Sequence, residues 1–355
     1  MPRGIPTFSA KEIGQIKVAE NADKGTRIGC IKENRYVQKH KPWSLEPIKM
    51  HVSKKLDPDV ANWVTQSIGK GAKLTSIIPA KGATSSSVYF IKSTAGKYSL
   101  DCVLRLFTNQ DWLEEEPDLA EHEASVLIEA QKAELPAPRL IAYAAEKSEC
   151  GVPAVLMTFL KGQVDLCPNN FDQWLAQLAE SLVVIHRVSS TDLRWEYFSW
   201  TNKNNLKPPA WSKYPELWEY AIEIWLSGPP VVDYTLIHRD YHPTNVLWDG
   251  GKLCSIVDWV NGCKGPASVD VSHCFGNLLT MYGLEVAEKF LSVYEQSVGS
   301  EFAHHPYWDI DSILSSLPDP EYYPPWQDFG LGWLDQNLIR DRIDEHLRVV
   351  VSRIR

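Results

Sequence analysis

At 355 residues, with 44% hydrophobic residues and 14 Trp, the chain is long enough for two lobes that each bury apolar surface. Its net charge of -9 argues against nucleic acid as a partner. No apolar run approaches the ~18 residues of a membrane span, and none follows Met1-Pro2-Arg3-Gly4 as in a signal peptide. The seven cysteines are scattered and form no C-x-x-C pair, so reduced thiols in a cytoplasmic protein are expected rather than disulfides or zinc.

Residues 1–49 carry ten Lys/Arg against five Asp/Glu and show little periodicity. They read as a polar, basic extension without a core of its own, either a disordered arm or an over-extended start. The folded part is expected from Met50. Strands are predicted at Leu74–Pro79, Val88–Lys92 and Leu100–Phe107, a helix from Pro117 to about Glu134, and further strands at Leu140–Ala144 and Ala154–Phe159. Between the first two strands lies a small-residue loop containing Gly82, Thr84, Ser85 and Ser86. Backbone N–H groups and hydroxyls in such a loop can approach phosphate oxygens, although most Gly/Ser loops are only turns.

Two charges in this half break apolar patterns. Arg105 interrupts the strand Cys102–Phe107. Glu123 shares a helical stripe with Leu119 and Leu127 at i, i+4, i+8 spacing. A buried carboxylate is costly unless paired, so Arg105 and Glu123 are expected to be partners. After Leu160 the pattern becomes helical, with Trp174, Leu175, Leu178, Leu182 and Ile185 at helical spacing. The division is therefore a sheet-rich lobe over 50–159 and a helical lobe over 160–355.

The second lobe contains His238-Arg239-Asp240-Tyr241-His242-Pro243-Thr244-Asn245, then an apolar run, Asp249-Gly250-Gly251-Lys252, a second apolar run and Asp258. The turn signal between two apolar runs predicts a β-hairpin. Asn245 would precede its first strand and Asp258 follow its second, which brings both oxygens to one open end. Two oxygen ligands there suit magnesium. H-x-D-x-x-x-x-N is also the catalytic-loop arrangement of protein kinases, in which the Asp accepts the proton of the attacking hydroxyl.

With these motifs the chain resembles the aminoglycoside phosphotransferase family, the small-molecule branch of the protein-kinase-like fold, over roughly residues 60–355. Asp258-Trp259, Gly265-Pro266 and Asp270 complete the resemblance. It implies an α+β, bilobal fold with a sheet-rich N-lobe and a helical C-lobe. It implies ATP and Mg2+ as cofactors and a small-molecule hydroxyl acceptor. It implies Asp240 as catalytic base, Asn245 and Asp258 as metal ligands, and Arg105 with Glu123 at the phosphates. Adenine would lie near Met157 and Phe159, Asp270 would brace the catalytic loop, and His238 would orient it. The alternative is a pseudokinase-like protein that binds nucleotide or ligand without turnover. From Asp309 to Asp335 six carboxylates alternate with aromatic residues and no Lys or Arg intervenes. That composition points to an amine-bearing acceptor, with a solvated acidic loop as the competing reading.

Overall fold

The computed structural model describes residues 56–80, 86–145, 147–188, 192–300, 302–320 and 322–354. Residues 1–49, and Gly82, Thr84 and Ser85 of the small-residue loop, lie outside the described residues. The first described element is a helix that the sequence reading did not predict, α1 (Pro58–Ile68). Asp57 caps it by accepting from the Asp59 N–H, with Pro58 in the first turn. Its Val60 and Val64 pack into a core shared with Ile91, Cys102, Leu104 and Leu156.

Those residues come from a five-stranded antiparallel sheet: β1 (Ala72–Pro79), β2 (Ser87–Ala95), β3 (Tyr98–Leu106), β4 (Leu140–Ala144) and β5 (Ala154–Thr158), in the order β1-β2-β3-β5-β4. The β2–β3 hairpin turns at Gly96-Lys97, where Gly96 takes a φ of 62°. Two helices lie between β3 and β4. The first, α2 (Gln110–Glu115), is short. The second, α3 (Leu119–Lys132), buries Leu119, Glu123, Val126, Leu127 and Ala130 on one face. That spacing is the amphipathic stripe the sequence displayed. A one-turn helix, α4 (Lys147–Cys150), precedes β5.

Beyond β5 the chain is mainly helical. The helices are α5 (Phe171–His186), α6 (Pro215–Leu226), α7 (Ala267–Tyr282), α8 (Leu284–Val298), α9 (Pro306–Leu314) and α10 (Gln336–Ile354). Two small ladders sit among them. β6 (Thr235–Ile237) pairs with β9 (Cys263–Gly265), and β7 (Val246–Asp249) pairs with β8 (Lys252–Ile256). Gly250 and Gly251 both take positive φ in the β7–β8 turn, as a two-residue hairpin requires. Gln163, just after β5, exchanges backbone hydrogen bonds with Trp248 of β7 at 3.0 and 2.8 Å. This bridge ties the hairpin to the segment that leaves the sheet.

Candidate active site

Three distant segments meet at Arg105. It occupies the middle of the sheet, opposite Val88 of β2 and Val155 of β5. Its Nε lies 3.1 Å from Oε2 of Glu123 on α3, and its Nη2 donates to Oδ1 of Asp258 at 2.7 Å. Nη1 donates to Oγ of Ser86 at 3.1 Å. The expected Arg105–Glu123 pair is therefore present as an ion pair. Among the described residues, neither Glu123 oxygen receives a hydrogen bond of good geometry, so the contact is chiefly one of charge. Burial pushes the Glu123 carboxyl up to about 7, with Arg105 only partly opposing it. Arg105 itself is held above its ordinary range: burial would lower it, but Asp258 and Glu123 together outweigh burial.

Asp258 follows β8 in the left-handed conformation, at a φ of 69°. The ladder continues one residue past the hairpin strands, with the Val257 N–H donating to the Asn245 carbonyl at 2.9 Å. Asn245 and Asp258 consequently stand at the same end of the hairpin. These side-chain oxygens suit a hard divalent cation. The Asp258 side chain is 38% exposed, so it remains accessible while bound to Arg105.

Ahead of the hairpin, the Asn245 amide nitrogen donates to the Asp240 carbonyl at 3.0 Å and to Asp240 Oδ2 at 3.2 Å. Asp240 Oδ1 lies 3.1 Å from Nε2 of His273 and 3.5 Å from Nε2 of His242. Burial would raise the Asp240 carboxyl, but the two histidines hold it well below the usual carboxylate range. Asp240 is thus ionised at neutral pH. One ligand atom each from Asp240, His242 and His273 falls within 4.8 Å of the others, a set with metal-ligand chemistry distinct from the Asn245–Asp258 end.

The loop is braced from below by Asp270, which is fully buried. Asp270 accepts from the His238 and Arg239 backbone N–H groups at 2.7 and 2.6 Å, and from His186 Nε2–H at 3.2 Å. His238 donates from Nε2 to the Val257 carbonyl at 3.0 Å, and burial lowers its pKa. It joins the loop to the hairpin as a neutral ring.

The structure places Met157 in β5, buried opposite Val103. Phe159 packs edge-on against Phe90 at 5.8 Å. The Thr158 and Phe159 N–H groups are taken by the Arg139 and Asp101 carbonyls at 2.9 and 3.1 Å, so at these two positions only carbonyls remain for a base. The acidic segment differs more from expectation. Asp309 is buried against His304 and Ser272. Asp311 is buried and accepts from Tyr197, Ser199 and Trp225. Asp319 pairs with Arg340, and Asp335 caps α10 through the Leu338 N–H. Of the acids in this segment, Asp309 and Asp311 are spent inside the helical lobe, whereas Asp319, Asp328 and Asp335 are exposed. His273 was missed by the sequence reading. A signal existed: it stands three residues after Asp270, one helical turn on and on the same face.

The family model of the phosphotransferase enzyme family matches residues 76–308. The chain belongs to this family. Among curated proteins, a homoserine kinase from Chelativorans sp. (strain BNC1) is 27% identical over 221 residues, covering 57% of this chain. The match spans 64% of that kinase, slightly under two thirds of its length. Among solved structures, a presumed aminoglycoside phosphotransferase from Ralstonia eutropha JMP134 superposes with a TM-score of 0.57 at 15% identity, covering 83% of this chain and 98% of that one. A thermostable variant of the aminoglycoside phosphotransferase APH(4)-Ia, bound to ADP and hygromycin B, gives 0.53 at 15% identity over 82% and 98%. At such low identity these likenesses establish the fold, which is the α+β, protein-kinase-like one. Among the described residues, no helix is long and apolar enough to cross a membrane.

Proposed function

We propose that this chain is an ATP-dependent O-phosphotransferase acting on a hydroxyl of a small molecule. The observation that carries the reading is the meeting of Arg105, Glu123 and Asp258 on one side with Asp240 and Asn245 at the adjoining hairpin end. Nucleotide binding falls to residues 50–159 and acceptor binding and catalysis to 160–355. Asn245 and Asp258 would hold magnesium, and Arg105 would grip phosphate oxygens, with Gly82, Thr84, Ser85 and Ser86 as further nucleotide-binding residues. Met157 and Phe159 would border the adenine. Bound Mg-ATP supplies the transferable phosphoryl group and the charge that neutralises it.

Asp240 would accept a hydrogen bond from the acceptor hydroxyl and aim its oxygen at phosphorus. As the new O–P bond forms, the bond to the ADP oxygen breaks and the hydroxyl proton passes to Asp240. Because Asp240 is a weak base, its main contribution is positioning, with proton acceptance late in the transfer. The homoserine kinase and hygromycin B neighbours support a small-molecule acceptor. Cys102, Cys150, Cys254, Cys263 and Cys274 are free thiols, which supports a cytoplasmic setting.

ADP release across a panel of hydroxylated metabolites and antibiotics tests the proposal. Turnover of at least one is expected. Asp240→Asn should lower kcat by roughly 10²–10⁴-fold with nucleotide affinity retained. Wild-type turnover in that variant removes Asp240 from its role. Nucleotide binding with no ADP release over the whole panel favours the pseudokinase-like alternative.

A further inference from the structure

Arg239, next to Asp240 in the chain, is the most unusual charge in the molecule. It is 1% exposed, yet among the described residues it forms no ion pair. Its guanidinium lies over the rings of Phe198, Trp200 and Tyr197 at 3.9, 4.4 and 5.6 Å. Among the described residues its side chain donates from Nη2 to the Phe198 carbonyl at 2.8 Å, and its buried Nε has no hydrogen-bond partner. Cation–π contacts offset only part of the cost of desolvating a guanidinium. The residue also takes a φ of 67°, where a side chain is strained. A strained, desolvated and unpaired cation is expensive to keep, which is the condition under which a ligand role is worth testing.

Arg239 faces a cavity. Trp200, His273, Trp308, Asp311 and Ser312 line it with Arg239, and its free space is about 30 Å³. That is on the scale of two water molecules, or of the two oxygens of a carboxylate. His273 connects this cavity to the base, since its Nε2 is 3.1 Å from Asp240. Asp311 does not answer the Arg239 charge. Its carboxylate is turned to Tyr197, Ser199 and Trp225, three donors that absorb it.

We infer that Arg239 and its aromatic walls form an anion subsite beside the catalytic base, so that the acceptor is a small hydroxy acid whose carboxylate docks there while its hydroxyl faces Asp240. This rests on the phosphotransferase reading and deepens it. It also departs from the amine preference that the composition of residues 309–335 suggested, since Asp309 and Asp311 of that segment are buried on internal donors. Burial lowers the Arg239 pKa, and the charges that oppose burial, Glu116 and Asp240 among them, do not outweigh it.

The test is titration calorimetry of the full chain, first with Mg-AMP-PNP and then with glycolate, 3-hydroxybutyrate, 4-hydroxybutyrate and L-homoserine, each against its primary amide. At least one acid should bind tenfold or more tightly than its amide. Arg239→Met should erase that preference without lowering the melting temperature, and Arg239→Lys should keep part of it. No acid–amide preference in the wild type overturns the inference, as does a preference that survives in Arg239→Met. A large fall in melting temperature in Arg239→Met with the preference intact assigns the cage to structure alone. Failure of Mg-AMP-PNP to bind would instead strike the phosphotransferase reading, so the two failures are separable.

Discussion

At the scale of single residues, Asp270 shows how a carboxylate far from any reacting atom governs the site. Both of its oxygens are occupied by N–H donors from the catalytic loop, and His186 adds a third. Asp270→Asn replaces one acceptor oxygen with an amide that opposes a backbone donor. A loss of about 3 kcal/mol in folding stability is expected, the cost of leaving buried polar partners unmatched. The loop would also shift, so kcat should fall while nucleotide affinity changes little. Denaturant midpoints and single-substrate kinetics on the variant check both. A stable variant with normal kcat would show that the loop holds itself. Asp240 and Asn245 were legible in the sequence because their spacing is local. The Arg105–Glu123 pair was legible because each residue violated an apolar pattern. The bond from Arg105 to Asp258 and the Arg239 cage were not, since each joins segments whose approach no local periodicity encodes.

Among elements, α3 is the part that must be held in register for Glu123 to reach Arg105, and the turn after Asp258 holds it. His122 on α3 donates from Nε2 to the Gly262 carbonyl at 2.6 Å and stacks on Trp195 at 4.4 Å. Gly262 packs so closely that an added Cβ would meet Val126 Cγ1 at 2.6 Å. Gly262→Ala should therefore push α3 outward. A destabilisation of roughly 1–3 kcal/mol, the usual range for overpacking, is expected with a several-fold rise in nucleotide KM. Adding Val126→Ala should recover part of both, because the two changes share one contact. Additive losses in the double variant would refute the steric account. The five strands of the sheet and helix α3 were predicted from periodicity to within a few residues, whereas the helices after Leu160 were read only as helical regions without bounds. Helix α1 was not, because its core-facing residues, Val60 and Val64, gave too short a stripe to stand out against the polar residues around them.

For the whole molecule, pH sets buried groups against one another. Burial lowers the pKa of His122 and His238, and takes His346, stacked on Phe275, to about 4. These rings are harder to charge in the fold than in the unfolded chain, which takes up protons below about 6.5, so acidification through that value costs stability. Glu123 has the opposite sign. Raised to about 7 by burial, it holds a proton in the fold that the unfolded chain has released above about 4.5, so stability falls as pH rises through that window. Between pH 5 and 6.5 the lowered histidines, His346 foremost, oppose one glutamate, at about 1.4 kcal/mol per pH unit for each net proton. Stability should therefore decline from pH 7 to pH 5. Glu123→Gln removes the opposing group and should steepen that decline, whereas His346→Phe should flatten it. Denaturant unfolding at pH 5, 6 and 7 measures all three slopes. If Glu123→Gln leaves the slope unchanged or shallower, Glu123 is ionised throughout this range, and its pairing with Arg105 outweighs its burial.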